Sequence, residues 1–269
     1  MPLLFLPPNP NHVHRSTPNR RWCRPITLNR PDVFNAFDDE QSYALQAALK
    51  EASRNDEVRV VVLTGAGKAF CSGQDLKSIK DSKDRDLSES LHKRYNPIIR
   101  AMREMPKPII GRINGVAAGA GCSLALACDL TVAAHSAKFI EVFVNVGLVL
   151  DSGSSYFLPR LVGSARAFEM STLASRIDAQ TAAQWGLINK AVPDDELDQA
   201  VNLWVDHYRQ APTKAIGLMK KMLNRSFHSD LDQMLDYEAL CQGIAGRSED
   251  HKEGVAAFNE KRTPRFKGQ

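Results

Sequence analysis

The sequence predicts an α/β core over residues 25–200 followed by a helical C-terminal lobe over residues 201–269. Three observations carry that reading. Val58 to Gly65, "VRVVVLTG", is a nearly all-apolar run of the kind found in strands buried on both faces. Similar strand-like runs alternate with helical patterns, and from Ser164 onward the pattern becomes helical. With 269 residues, 43% of them hydrophobic, the chain can bury a sizeable core.

The first stretch, residues 1–24, reads as irregular because prolines follow its short apolar piece "LLFL", which is also too short for a signal-peptide core. His12 and His14 have no further metal-ligating residue nearby. Pro25 to Pro31, "PITLNRP", is a strand stopped by Asn-Arg-Pro. "DDEQSYALQAALKEASRND" is an amphipathic helix with Tyr43, Leu45, Ala48, Leu49 and Ala52 along one side and acids in its first turn. After the Val58–Gly65 strand comes a Gly- and Lys-rich turn, then "AFCSGQDLKSI". "KDSKDRDLSESLHK" is a charged loop or solvated helix, and "YNPIIRAMREM" is a helix stopping before Pro106. "KPIIGRINGVAAGAGCSLALACDLTVAA" runs strand, Gly-Ala turn, apolar helix, strand. "AKFIEVF" and "VGLV" are read as extended. Six helical patterns follow, from "ARAFEMSTLA" to "EDHKEGVAAFNEK".

Composition narrows the function classes. A net charge of +4 is mild and comes in no like-charge block, which argues against a nucleic-acid or membrane-surface partner. No run of about 18 apolar residues suggests a membrane span. The five cysteines are odd in number and irregular in spacing, as expected of free thiols in a reducing, cytoplasmic compartment. "TGAGKAF" is not a phosphate-binding loop, since Val62 stands where the first Gly belongs and Ala69 follows the Lys. "GAGCSL" lacks the third Gly of a dinucleotide motif, with Leu124 in its place. No nucleophile elbow and no metal-ligand spacing is present, so no metal is expected.

One residue stands out. Asp151 is the single acid between Val144 and Gly163, after the run Val-Gly-Leu-Val-Leu. A carboxylate buried there would need donors, a charge partner or a chemical task. The plainer alternative is a turn Asp capping the next helix, and "DSGSS" would suit one.

Three segments taken together carry a resemblance: "AFCSGQDL", "NGVAAGAGCSLALACDL" and "AKFIEVFVNVGLVLDSGSSYFLPRLVG". The chain from about residue 25 to its end resembles the enoyl-CoA hydratase/isomerase, or crotonase, family. The resemblance implies a spiral of ββα units with a helical trimerisation region, assembled as trimers or dimers of trimers. It implies acyl-CoA thioester substrates, CoA being part of the substrate rather than a cofactor. It also implies an enolate whose oxygen is held by two backbone N–H groups, here those of Gln74 and Ala120. By motif position, CoA and substrate would meet Arg30, Val33, Ala36, Ser72, Gly73, Asp75, Leu76, Lys77, Gly119 and Phe143. Phe258 and Lys261 would reach CoA bound mainly to a neighbouring subunit.

Hydratases of the family carry two glutamates where this chain has Ser123 and Phe143. Family isomerases instead place their carboxylate at the position of Asp151, which is thereby implied as the acid/base. The loop and the tail resemble the family's isomerases of ring-epoxidised phenylacetyl-CoA, although Leu150 and Ser154 replace a Pro and a Gly. "DSGSS" is also similar to the Δ3,Δ2-enoyl-CoA isomerases of fatty-acid breakdown. Two alternatives stay open: a hydratase that recruits Glu141 or Asp151, with Glu141 on the Phe143 side of an extended segment, and a non-catalytic acyl-CoA- or protein-binding module.

Overall fold

The computed structural model describes residues 22–77 and 86–269 and the backbone of Val13–His14. What the sequence suggested for the rest of residues 1–21, the His12–His14 pair included, and for residues 78–85 lies outside the described residues. Val13–His14 (β1) pairs antiparallel with Cys23–Leu28 (β2), Val13 opposite Leu28. A short strand therefore lies within the stretch read as irregular. Its two described residues lie opposite Leu28 and Thr27.

Asp39–Arg54 (α1) starts where the Asp38 side chain accepts from the Gln41 N–H, 2.8 Å. Its inner face is Leu45, Leu49 and Ala52, as the spacing predicts. Tyr43 turns outward, with the buried Gln41 and Ser42 in its place. Val60–Gly65 (β3) explains its own composition: Val61 and Leu63 join the main core, Val60 and Val62 a second core on the other face. Asn114 clamps the Gly-rich turn that follows, donating to the Gly67 carbonyl at 2.9 Å and accepting from the Gly65 N–H at 3.2 Å. That turn is a structural corner leading to Ala69–Cys71 (β4).

The chain then forms a short helix at Leu87–Ser90 (α2), a π-helical turn at Leu91–Tyr95 and a helix at Asn96–Glu104 (α3) that buries Ile98 and Met102. Ile109–Ile113 (β5), Val116–Ala118 (β6), Ala120–Leu126 (α4), Leu130–Ala134 (β7) and Lys138–Ile140 (β8) follow. "AKFIEVF" is strand only as far as Ile140. Val142–Val146 is a 3-10 turn ended by left-handed Gly147, and "VGLV" forms no strand.

Ser154–Leu173 (α5) starts earlier than "ARAFEMSTLA" suggested, because Pro159 and the non-helical Gly163 (φ 79°, ψ 164°) mask its first half in sequence. The tail is not all helical. Ile177–Asp178 (β9), Ala179–Gln184 (α6) and Lys190–Val192 (β10) precede Leu197–Arg209 (α7), Thr213–Ser226 (α8), Leu231–Gly246 (α9) and Glu249–Asn259 (α10). Strands of two and three residues are too short to show a period.

Successive strands are dealt to two sheets, β1-β2-β3-β5-β7-β10 and β4-β6-β8-β9. Three successive pairs, β3–β4, β5–β6 and β7–β8, each leave one strand in each sheet before a helix, which is the ββα spiral that the resemblance implied. The main core fills the space between the sheets, α1, α3 and α4, while α7 covers the outer face of the larger sheet through Leu197, Val201 and Val205. Cys71, Cys122 and Cys128 lie in that main core.

The sheets meet α4 most closely at Gly121. A Cβ there would stand 2.1 Å from the Cys71 carbonyl oxygen. Gly121→Ala is expected to destabilise the protein by about 2–3 kcal/mol, since backbone must move to admit the methyl; a urea midpoint equal to wild type would show the contact is not limiting.

Candidate active site

Parallel pairing of β4 with β6, Cys71 opposite Ala117, delivers "SGQDL" and "AAGAG" side by side. Gly73 takes φ 94°, which L side chains rarely adopt, and a Cβ on it would lie 2.9 Å from the Ala118 oxygen and 3.5 Å from the Ala120 nitrogen. The two segments thus touch through backbone alone. Gly73 O accepts from the Phe37 N–H (2.7 Å) and Asp75 N–H donates to Phe37 O (2.9 Å). Alternation along an extended chain then turns the Gln74 N–H away from Phe37. Ala120 opens α4 after Gly119 (φ 52°, ψ −127°), with no side chain capping the helix, so its first-turn N–H groups lack intrahelical acceptors. The buried Phe143 ring packs against the Gly119 corner, Cζ 3.8 Å from where a Cβ would stand.

The Gln74 side chain is pinned outside this corner. Its Nε2 donates to the Phe37 carbonyl (2.8 Å), and its Oε1 accepts from the Tyr95 hydroxyl. The Tyr95 ring stands edge-on to Phe37, centroids 5.5 Å apart. Tyr95 closes the π-helical turn, and its role was not visible in sequence because that turn offers no period of its own.

Asp151 is half-buried on the loop between the 3-10 turn and α5. Ser152 Oγ donates to its carboxylate at 2.7 Å, and its carbonyl accepts from Ser154 N–H (3.0 Å) and Ser123 Oγ (3.1 Å). Burial raises its pKa above the ordinary carboxylate range, with the Ser152 hydrogen bond opposing. The capping alternative is not realised: α5 is capped by Gly153, with no side-chain hydrogen bond.

Glu141 is the residue sequence reasoning placed wrongly. The segment is not extended there (φ −91°, ψ 78°), and the two side chains part: Phe143 goes to Gly119, while Glu141 Oε1 accepts from Ser154 Oγ at 2.9 Å. Glu141 is fully buried, and burial pushes its carboxyl up to about 7, with Ser154 and Cys122 hydrogen bonds opposing and the Asp151 charge adding. The criterion that singled out Asp151, one acid in an apolar run, applies equally to "FIEVFV" and would have found it.

Of the other expected contacts, Val33, Ala36, Ser72 and Asp75 gather with Arg30 around Phe37. Ser72 Oγ donates to Val33 O (3.3 Å). The Arg30 guanidinium is already held by Asp38 (3.1 Å), Asp75 (3.0 Å) and the Ala36 carbonyl, so it braces these loops. Leu76 and Lys77 are exposed beside them. Phe258, 84% exposed, and Lys261 lie at the end of α10 with their side chains in solvent.

The sequence pattern of the family described as enoyl-CoA hydratase/isomerase matches residues 23–269. The 1,2-epoxyphenylacetyl-CoA isomerase of Escherichia coli is 42% identical over 247 residues, 91% of this chain and 94% of that protein. A Rhodobacter capsulatus protein named as a probable enoyl-CoA hydratase is also 42% identical, over 244 residues and the same shares of the two chains. The crystal structure of an enoyl-CoA hydratase from Mycobacterium smegmatis superposes with a TM-score of 0.89 at 32% identity, covering 95% of this chain and 98% of that one. On pattern, identity and fold together, the chain belongs to the enoyl-CoA hydratase/isomerase family.

Proposed function

We propose that this family enzyme is an acyl-CoA thioester isomerase with Asp151 as its acid/base. The observation that carries the reading is Asp151 itself: half-buried, capping no helix, its proton affinity raised, on a loop tied by Ser123 to the helix that Ala120 opens. A base that must also return its proton works best with a pKa moved toward neutrality. Ser123 and Phe143, at the positions of the two hydratase glutamates, offer no carboxylate.

In the proposed reaction the Asp151 carboxylate takes a proton from the carbon next to the double bond. The electron pair moves to the thioester oxygen, held by the Gln74 and Ala120 N–H groups, and the dienolate is reprotonated two carbons away. No water is gained or lost and no metal or organic cofactor is needed. The E. coli relative is named for an epoxide isomerase, which makes ring-epoxidised phenylacetyl-CoA the first substrate to try, followed by 3-enoyl-CoA thioesters of fatty-acid breakdown. Exposed apolar residues on α8 and α9, Leu223, Phe227, Leu231 and Leu240 among them, support assembly into trimers or dimers of trimers. In such an assembly Phe258 and Lys261 would meet CoA held by a second copy. Among the described residues no helix is long and apolar enough to cross a membrane; a cytoplasmic location is proposed from the odd number and irregular spacing of the five cysteines.

Incubation with a 3-enoyl-CoA in heavy-oxygen water is expected to give a shifted double bond with no added mass; label in the product would make the enzyme a hydratase. Asp151→Asn should lower turnover by about 10²–10⁴ while acyl-CoA binding persists. Turnover equal to wild type would remove Asp151 from the reaction. Gly73→Ala crowds the Ala120 N–H and strains the backbone, so kcat is expected to fall about 10²-fold together with a loss of stability of about 1–3 kcal/mol, read from activity and thermal midpoint.

A further inference from the structure

Glu141 takes no part in the reaction just described, yet it is fully buried. Its Oε1 accepts from Ser154 Oγ at 2.9 Å, its Oε2 has no well-formed hydrogen bond among the described residues, and the Cys122 thiol is the one other, weak donor to the carboxyl. The titratable groups facing it are the Cys122 thiol from α4 and Asp151 from the loop, and neither brings a positive charge. Ser154 Oγ also lies 2.8 Å from Ser123 Oγ, and Ser123 Oγ lies 3.1 Å from the Asp151 carbonyl and 3.2 Å from the Gly119 carbonyl. Two hydroxyls therefore stand between a buried acid and the carbonyls of the Asp151 loop and of the corner before Ala120, with the single Ser123 hydrogen shared among Ser154, Asp151 and Gly119.

An ionised carboxylate with so few donors is strongly disfavoured against the neutral acid. We propose that Glu141 is a positioning residue that keeps its proton while Asp151 works, limiting the site to one negative carboxylate and holding the Asp151 loop through Ser154 and Ser123. This rests on the reading of Asp151 as the base. The interaction is reciprocal: the Asp151 charge raises Glu141, so a charge on Glu141 must raise Asp151 by the same amount. It also opposes formation of an anionic dienolate. Glu141 is neutral below about 7 and loses its proton to solvent as the pH rises through that value. Turnover should therefore change as the pH rises through about 7, where an isolated carboxylate base would give a flat profile.

The test is the pH profile of kcat for wild type, Glu141→Gln and Ser154→Ala with the acyl-CoA that wild type converts. Wild type is expected to show an activity limb centred near pH 7. Glu141→Gln should abolish that limb. Ser154→Ala should move it to higher pH, because the lost donor had favoured the ionised form. A wild-type limb in both variants, or no limb in wild type, overturns the proposal.

Infrared difference spectra supply a readout that needs neither turnover nor a folded Glu141→Gln. Wild type should show a protonated-carboxyl band at pH 6 that disappears through about pH 7, and Asp151→Asn should lose it at lower pH because the neighbouring charge is gone. Absence of the band at pH 6, or an unmoved transition in Asp151→Asn, overturns it equally. Full activity in Asp151→Asn would instead sink the base assignment, whereas an inactive Asp151→Asn with an unmoved infrared transition sinks the Glu141 assignment alone.

Discussion

A backbone approach too close for any side chain, Gly121 against the Cys71 carbonyl, fixes the rest of the site. Because no side chain separates α4 from β4, the helix begins beside the segment that carries Gly73 and Gln74. The direction of α4 then determines where the Ala120 N–H points and where Ser123, one turn later, meets the Asp151 loop. Two parallel strand pairings hold that geometry, β4 with β6 and β6 with β8, so the corner is built into the sheet and not left to a loop.

Around that corner the protein concentrates groups that water would normally solvate. Asp151 and Glu141 are both raised by burial, and they differ in depth: one is half-buried on the loop, the other sealed. Like charges so placed resist simultaneous ionisation, which separates their proton affinities and makes their roles distinct. The hydroxyls of Ser123, Ser152 and Ser154 carry most of the local polar satisfaction. Apolar side chains close the remainder, Phe143 over Gly119 and Leu150 against the core.

Much of this was legible in the sequence, and what was not has physical causes. The run at Val60–Leu63 announces a strand buried on two faces because both faces are apolar, and α7 shows its period through Leu197, Val201 and Val205. Asp151 is conspicuous because nothing nearby shares its polarity. The partition of strands between two sheets is invisible, since hydrogen-bond partners leave no local trace when strands are three residues long. Glu141 was misplaced because the extended pattern of "AKFI" was continued through a 3-10 turn, and that changes which way a side chain faces. The Tyr95–Gln74 contact needed a π-helical turn, and Arg30 looked like a free cation until its three partners were in place.

The same burial that tunes the carboxyls also silences sulfur. Cys71 and Cys128 are pushed up to about 12 by burial, and Cys122, beside Glu141, is raised well above its ordinary value. The thiolate is the species attacked by oxidants and electrophiles, so at neutral pH these sulfurs are close to inert. Cys71 adjoins the strand end that leads to Gly73, and Cys122 lies on the helix that Ala120 opens. Peroxide or an alkylating metabolite would meet methyl-like packing there instead of a nucleophile, which gives this thiol-lined corner built-in oxidative durability.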